Sequence, residues 1–100
     1  MHLVRAALTR RDRADVDPAQ AARVVDVLWA HAGAEDRLEH IRGRPGEGRV
    51  DLVLFFRTVD GADPARSAAE LIARAYRSSA FVRSLYAEPE LWQPAEPSDL

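Results

Sequence analysis

One stretch, Val50-Asp51-Leu52-Val53-Leu54-Phe55-Phe56-Arg57-Thr58, governs how the rest of the chain is read. Its even positions, Val50, Leu52, Leu54 and Phe56, are all apolar. That suits a strand facing a core, because side chains alternate sides along a pleated backbone. The odd positions are mixed, but Val53 and Phe55 are apolar among them. Two apolar residues on the reverse side favour a strand that is covered there as well. The stretch therefore predicts a sheet with one face on a core and a second face that is itself partly apolar.

Working outward, Gly43-Arg44-Pro45-Gly46-Glu47-Gly48 reads as turn chemistry, and Leu38 to Arg42 before it as a weaker strand, so the two runs predict a hairpin. At the start of the chain His2, Val4, Ala6 and Leu8 alternate with Leu3, Arg5, Ala7 and Thr9, again one apolar side and one mixed side. Between these strands Asp17-Pro18-Ala19-Gln20 writes a helix start. It offers a carboxylate cap, a Pro whose missing N–H costs nothing in the first turn, and a Gln placed to reach back to the cap. Ala21, Val25, Leu28 and Ala32 then form an apolar stripe, widened by Val24 and Trp29, and Gly33 stands where a left-handed residue ends a helix. This predicts a helix over 17–32. Asp63-Pro64-Ala65-Arg66 repeats the start, and Ala68, Leu71, Ile72, Ala75 and Tyr76 repeat the stripe, for a helix over 63–78.

The order is β-α-β-β-α with the β-loop-α unit occurring twice, which is the pattern of an α+β ferredoxin-like split β-α-β domain, an antiparallel sheet with two helices on one face. The name is architectural. The fourth strand that would close this sheet is open: Ser79 to Tyr86 fits alternation no better than a short helix capped by Ser78 or Ser79, since Phe81, Val82, Leu85 and Tyr86 also pair at helical spacing. Residues 1–87 are expected to form one domain and 88–100 an acidic, Pro-containing C-terminal tail without a basic residue.

Composition narrows the function classes. The chain has 100 residues, 47% of them hydrophobic, but 18 of these are Ala, so Val, Ile, Leu, Phe and Trp carry the core. All 14 basic residues are Arg, which with the Ala excess reads as the codon usage of a GC-rich bacterial genome. There is no Cys, hence no disulfide or thiolate site, and no apolar run of membrane-spanning length, so a cytoplasmic protein is expected. A formal net charge of −2 does not favour a broad grip on nucleic acid. The strand around Phe55 also lacks the basic-Gly-aromatic run of RNA-recognition sheets, and Asp51 would repel phosphate.

Enzymatic signals are thin. His2, His31 and His40 share no metal-ligand spacing, no nucleophile or phosphate-loop motif occurs, and no Lys is available for imine chemistry. Neither a catalytic residue, a metal nor a cofactor is assigned. Two surfaces stand out. Leu3, Ala7, Val53 and Phe55 are expected to lie together on the uncovered sheet face, as an interface for a second copy of the chain or another protein, unless the tail folds back and covers them with Trp92. Burying ~300 Å² of such surface at ~25 cal/mol/Å² is worth on the order of 7 kcal/mol before association costs. Arg10, Arg11 and Arg13 are expected to neighbour Arg42 and Arg44 at one end of the sheet, as an anion site or as a self-compensated charged rim with Asp12, Asp15 and Glu47. The leading expectation is a small accessory or adaptor protein that homodimerises through its open sheet face. The alternative is a binder of a small apolar ligand, or a cofactor-free enzyme, with a cavity between sheet and helices rimmed by Tyr76, Trp29 and His2.

Overall fold

A computed structural model of the chain describes residues 1–91. They form a small α+β domain in the order β1 (His2–Thr9), α1 (Pro18–His31), a 3-10 turn (Ala34–Asp36), β2 (Leu38–Gly46), β3 (Arg49–Phe56), α2 (Pro64–Ser78), α3 (Ala80–Leu85) and β4 (Glu90–Leu91). The three long strands make an antiparallel sheet ordered β2-β3-β1, and the two-residue β4 adds to the outer edge of β1 opposite Ala6 and Ala7. Among the described residues, no helix is long and apolar enough to cross a membrane.

Register places the alternation of β3 as expected. Val50, Leu52, Leu54 and Phe56 stand opposite Leu8, Ala6, Val4 and His2 of β1, and of these eight side chains all but His2 are at most 2% exposed. They join Ala21, Val24 and Leu28 of α1 and Ala68, Leu71, Ile72 and Ala75 of α2 in one core, so both helices lie on the same side of the sheet. The two Asp-Pro starts cap as their chemistry dictates: the Asp17 carboxylate accepts from the Gln20 N–H at 2.8 Å and that of Asp63 from the Arg66 N–H at 3.1 Å.

Three local expectations are corrected. Gln20 does not reach back to its cap; its Oε1 turns to the sheet and accepts from Arg10 Nη1 at 2.9 Å, because an arginine emerging beside it offers a charged donor. Gly33 does not end α1 in a left-handed conformation. Its φ is −107°, and its N–H donates to Asp36 Oδ2 at 2.7 Å, starting the 3-10 turn. The hairpin is longer than its glycines implied: Gly43 and Pro45 stay in the ladder, opposite Leu52 and Val50, and only Glu47 and Gly48 turn. Pro45 is tolerated because β2 is an edge strand, where a missing N–H breaks no ladder bond. Gly43 is required because a β-carbon there would sit 2.6 Å from Val25 Cγ2 and 3.3 Å from the Ala21 carbonyl, so α1 rides directly on β2. Gly48 supplies the positive φ of the turn, 71°.

The segment after α2, open between strand and short helix in the sequence, takes the helical alternative. Residues 80–85 are helical, with Ser79 Oγ accepting from the Val82 N–H at 3.2 Å, and the added strand comes later, at Glu90–Leu91. Tyr86 follows α3 fully buried, and burial holds its phenol above the ordinary value. Its backbone bridges Arg10, and the Ala87 N–H donates to the Thr9 carbonyl at 2.8 Å, which steers the chain back to the β1 edge.

Candidate interaction face

The side of the sheet away from the helices is built in rows, one residue from each long strand. Antiparallel pairing sets Leu3 and His40 on either side of Phe55, Arg5 and Arg42 on either side of Val53, and Ala7 and Arg44 on either side of Asp51. Neighbouring strands lie ~4.8 Å apart and alternate residues ~6.7 Å apart, so nine side chains occupy a footprint of ~10 by 14 Å between Cα positions. One end of this face is apolar. Leu3 is half exposed, Val53 and Phe55 are half-buried, and the His40 ring lies tilted against Phe55 with centroids 5.4 Å apart. Ala7 departs from the rest of the expected patch, being only 8% exposed at the position where β4 pairs with β1. Trp92, expected as a cover for this face, lies outside the described residues.

The middle of the face is basic. Arg5, Arg42 and Arg44 are exposed around Val53, and with Asp51 and Leu52 they line a concavity of about 410 Å³. None of the three forms an ion pair with another described residue. Asp51 is occupied by its own strand: its Oδ1, shielded from solvent, lies 3.1 Å from Arg49 Nε in an ion pair without a well-directed hydrogen bond. Arg5 was not among the residues singled out from sequence. The signal that finds it is strand order, because pairing β1 with β3 puts Arg5 across Val53 from Arg42.

The expected cluster of five arginines divides into two groups. The loop after β1 does meet the β2–β3 hairpin, where the Arg10 N–H donates to the Gly48 carbonyl at 2.8 Å. The side chains nevertheless part. Arg10 continues the core-facing alternation of β1 and is 9% exposed on the helix side, with Nε and Nη2 on the two Asp12 oxygens at 3.0 and 2.8 Å. This fork holds the Asp12 carboxyl down to about 2, with the Ala14 N–H as a second donor. Arg11 donates from Nε to the Arg83 carbonyl at 3.0 Å and from Nη2 to the Tyr76 hydroxyl at 2.9 Å, while Arg13 takes a left-handed turn position at φ 61°. Arg42 and Arg44 project from the opposite side of the sheet. Odd residues of β2, Ile41 and Gly43, meet the helices, so even ones cannot. Arg10 and Arg11 are thus spent on internal structure, and Arg42 and Arg44 are left with Arg5.

Where β1 meets the three helices, the layer between sheet and helices is closed to water. Leu8, Val24, Leu28, Ile72, Ala75 and Val82 close on one another and leave no space a water molecule could enter. Tyr76 donates to the Tyr86 carbonyl at 3.2 Å, Trp29 is 41% exposed and His2 is exposed, so the three residues named for a cavity rim do not surround one. His31 sits in the last turn of α1 with Nδ1 2.9 Å from the Val27 carbonyl. A groove of about 510 Å³ runs along the outside of α2, lined by Ala69, Ile72, Ala73, Tyr76, Arg77, Glu88 and Pro89. Compared with family models, with curated proteins and with solved structures, the chain finds no match.

Proposed function

We propose that the protein is a small adaptor of ferredoxin-like layout that works by docking a partner chain on its open sheet face. The layout is supported by the strand order β2-β3-β1-β4 with antiparallel neighbours, and by the helices that follow β1 and β3. The observation that carries the docking reading is the row structure of the face: Leu3, Phe55 and Val53 adjoin one another, incompletely buried, on the side away from the described helices. Incompletely covered apolar rows beside convergent cations make a surface that a partner segment would dry. The closed packing of Leu8, Val24, Leu28, Ile72, Ala75 and Val82 between sheet and helices counts against the alternative of an enclosed apolar ligand at that place.

A second copy remains the partner expected from sequence, but charge speaks for a foreign chain. Two faces packed about a two-fold axis would set Arg5, Arg42 and Arg44 near their own images, and like charges brought together there cost association energy. Phe55→Asp tests the reading. The variant is expected to lose whatever association the wild type shows, as mass above the monomer in light scattering or as a co-purifying chain, with its far-ultraviolet circular dichroism unchanged. Equal association by the variant overturns the reading, and so does a wild type that stays monomeric and retains no partner.

A further inference from the structure

We infer that the partner of this face is an acidic peptide strand, recognised by Arg5, Arg42 and Arg44 across the floor made by Val53. The inference rests on the docking reading above and adds the chemistry of the partner. Its first support is charge. Three guanidinium groups surround one concavity of about 410 Å³ without an ion pair among the described residues, while the only carboxylate lining it, that of Asp51, is engaged by Arg49. Forked guanidinium donors match carboxylates in pairs of parallel hydrogen bonds.

The second support is spacing. Arg42 and Arg44 are two residues apart on one strand, hence ~6.7 Å, and Arg5 stands ~10 Å from Arg42 across β3. An extended peptide presents its own side chains at the same two-residue period, so alternate acids meet Arg42 and Arg44 in step. The third support is area. The footprint between the long outer strands is ~140 Å² for the three rows and ~200 Å² with the adjoining row of Thr9, Arg49 and Gly46; it remains a few hundred Å² with side chains included, well short of the ~800 Å² a side of a standard interface between folded proteins. A strand-like segment needs less. The face offers Phe55 as its one aromatic side chain from the long strands, and His40 already lies against it, so a base-stacking platform for single-stranded nucleic acid is poorly provided.

The test uses the full chain, labelled for amide chemical shifts, and an end-blocked octapeptide of alternating Glu and Val as probe. Saturable shifts are expected in β2, β3 and β1 around positions 42–44, 51–55 and 3–7. Affinity should fall about tenfold or more in Arg42→Glu/Arg44→Glu and at high salt. The Lys-Val peptide should leave the face unmoved. A Ser-Val peptide that binds as tightly as the acidic one overturns the inference while leaving the docking reading standing, since the face then binds strands without regard to charge. Equal binding of the acidic peptide by the double variant overturns it too, as does octauridylate or inorganic phosphate shifting the same amides more strongly than the peptide. If none of the probes moves the face, the inference fails, and the docking reading is decided separately by Phe55→Asp.

Discussion

Arg10 shows how a single residue can be misplaced by type and placed correctly by period. As an arginine next to Arg11 and Arg13 it reads as surface charge. As the fifth member of the series His2, Val4, Ala6, Leu8, Arg10 it belongs to the helix side, where Asp12 and Gln20 receive it. The pairing has a testable pH signature. Because Asp12 is lowered from 3.8 to about 2 in the folded protein, first by the Arg10 hydrogen bonds and next by the Ala14 N–H, its contribution to stability is present above the ordinary carboxylate range and is lost as pH falls through about 2. Urea unfolding of wild type and Asp12→Asn should therefore differ by a constant amount from neutral pH down to the ordinary value near 3.8, and the difference should shrink to nothing toward pH 2. A gap independent of pH would remove the assignment. Strand period was enough to foresee the direction of Arg10; its partner Gln20 was hidden because the capping role at that position fits equally well.

At the scale of elements, the helices and long strands were legible because each carries two agreeing signals, a period and a start or stop. Asp17-Pro18 and Asp63-Pro64 begin α1 and α2 where written. The connection from α1 to β2 carried no such agreement, since Gly33 invited a left-handed stop and no second signal marked the turn. The structure instead buries Asp36 to 5% exposure and lets it gather the Gly33 N–H at 2.7 Å and Arg74 Nη2 at 2.8 Å, while the same Nη2 reaches the His31 carbonyl at 3.0 Å. One arginine of α2 thereby closes the end of α1 and the turn that follows it, a contact between residues 38 apart that local pattern does not reveal. Arg74→Met leaves this carboxylate buried without its cation and should cost about 2–3 kcal/mol in denaturant unfolding. A loss below about 0.5 kcal/mol would show that Gly33 alone satisfies Asp36. The short α3 was ambiguous for a related reason: six residues are too few to separate the two periods, and the Ser79 cap decided it.

For the molecule as a whole, the sheet divides the chain into a core side and an open side, and adjacent phenylalanines report on each. Phe56 is 2% exposed among the core residues, whereas Phe55 is half-buried on the open face. Phe56→Ala should destabilise by about 3–5 kcal/mol, and Phe55→Ala by about 1, in the same unfolding experiment. Equal losses would mean that the open face is as covered as the core. The apolar half of that face was readable from Val53 and Phe55, but its basic half was not. Arg5 is distant in sequence from Arg42 and Arg44 and joins them only through the order and register of the strands. Beneath them, Gly43 lets α1 settle on β2 with no room for even a methyl group. Under the proposed docking, a platform clamped from below in this way has little backbone freedom left to surrender, so on the protein's side the entropic toll falls mainly on the arginine side chains, and stiffening those would be the economical route to tighter binding.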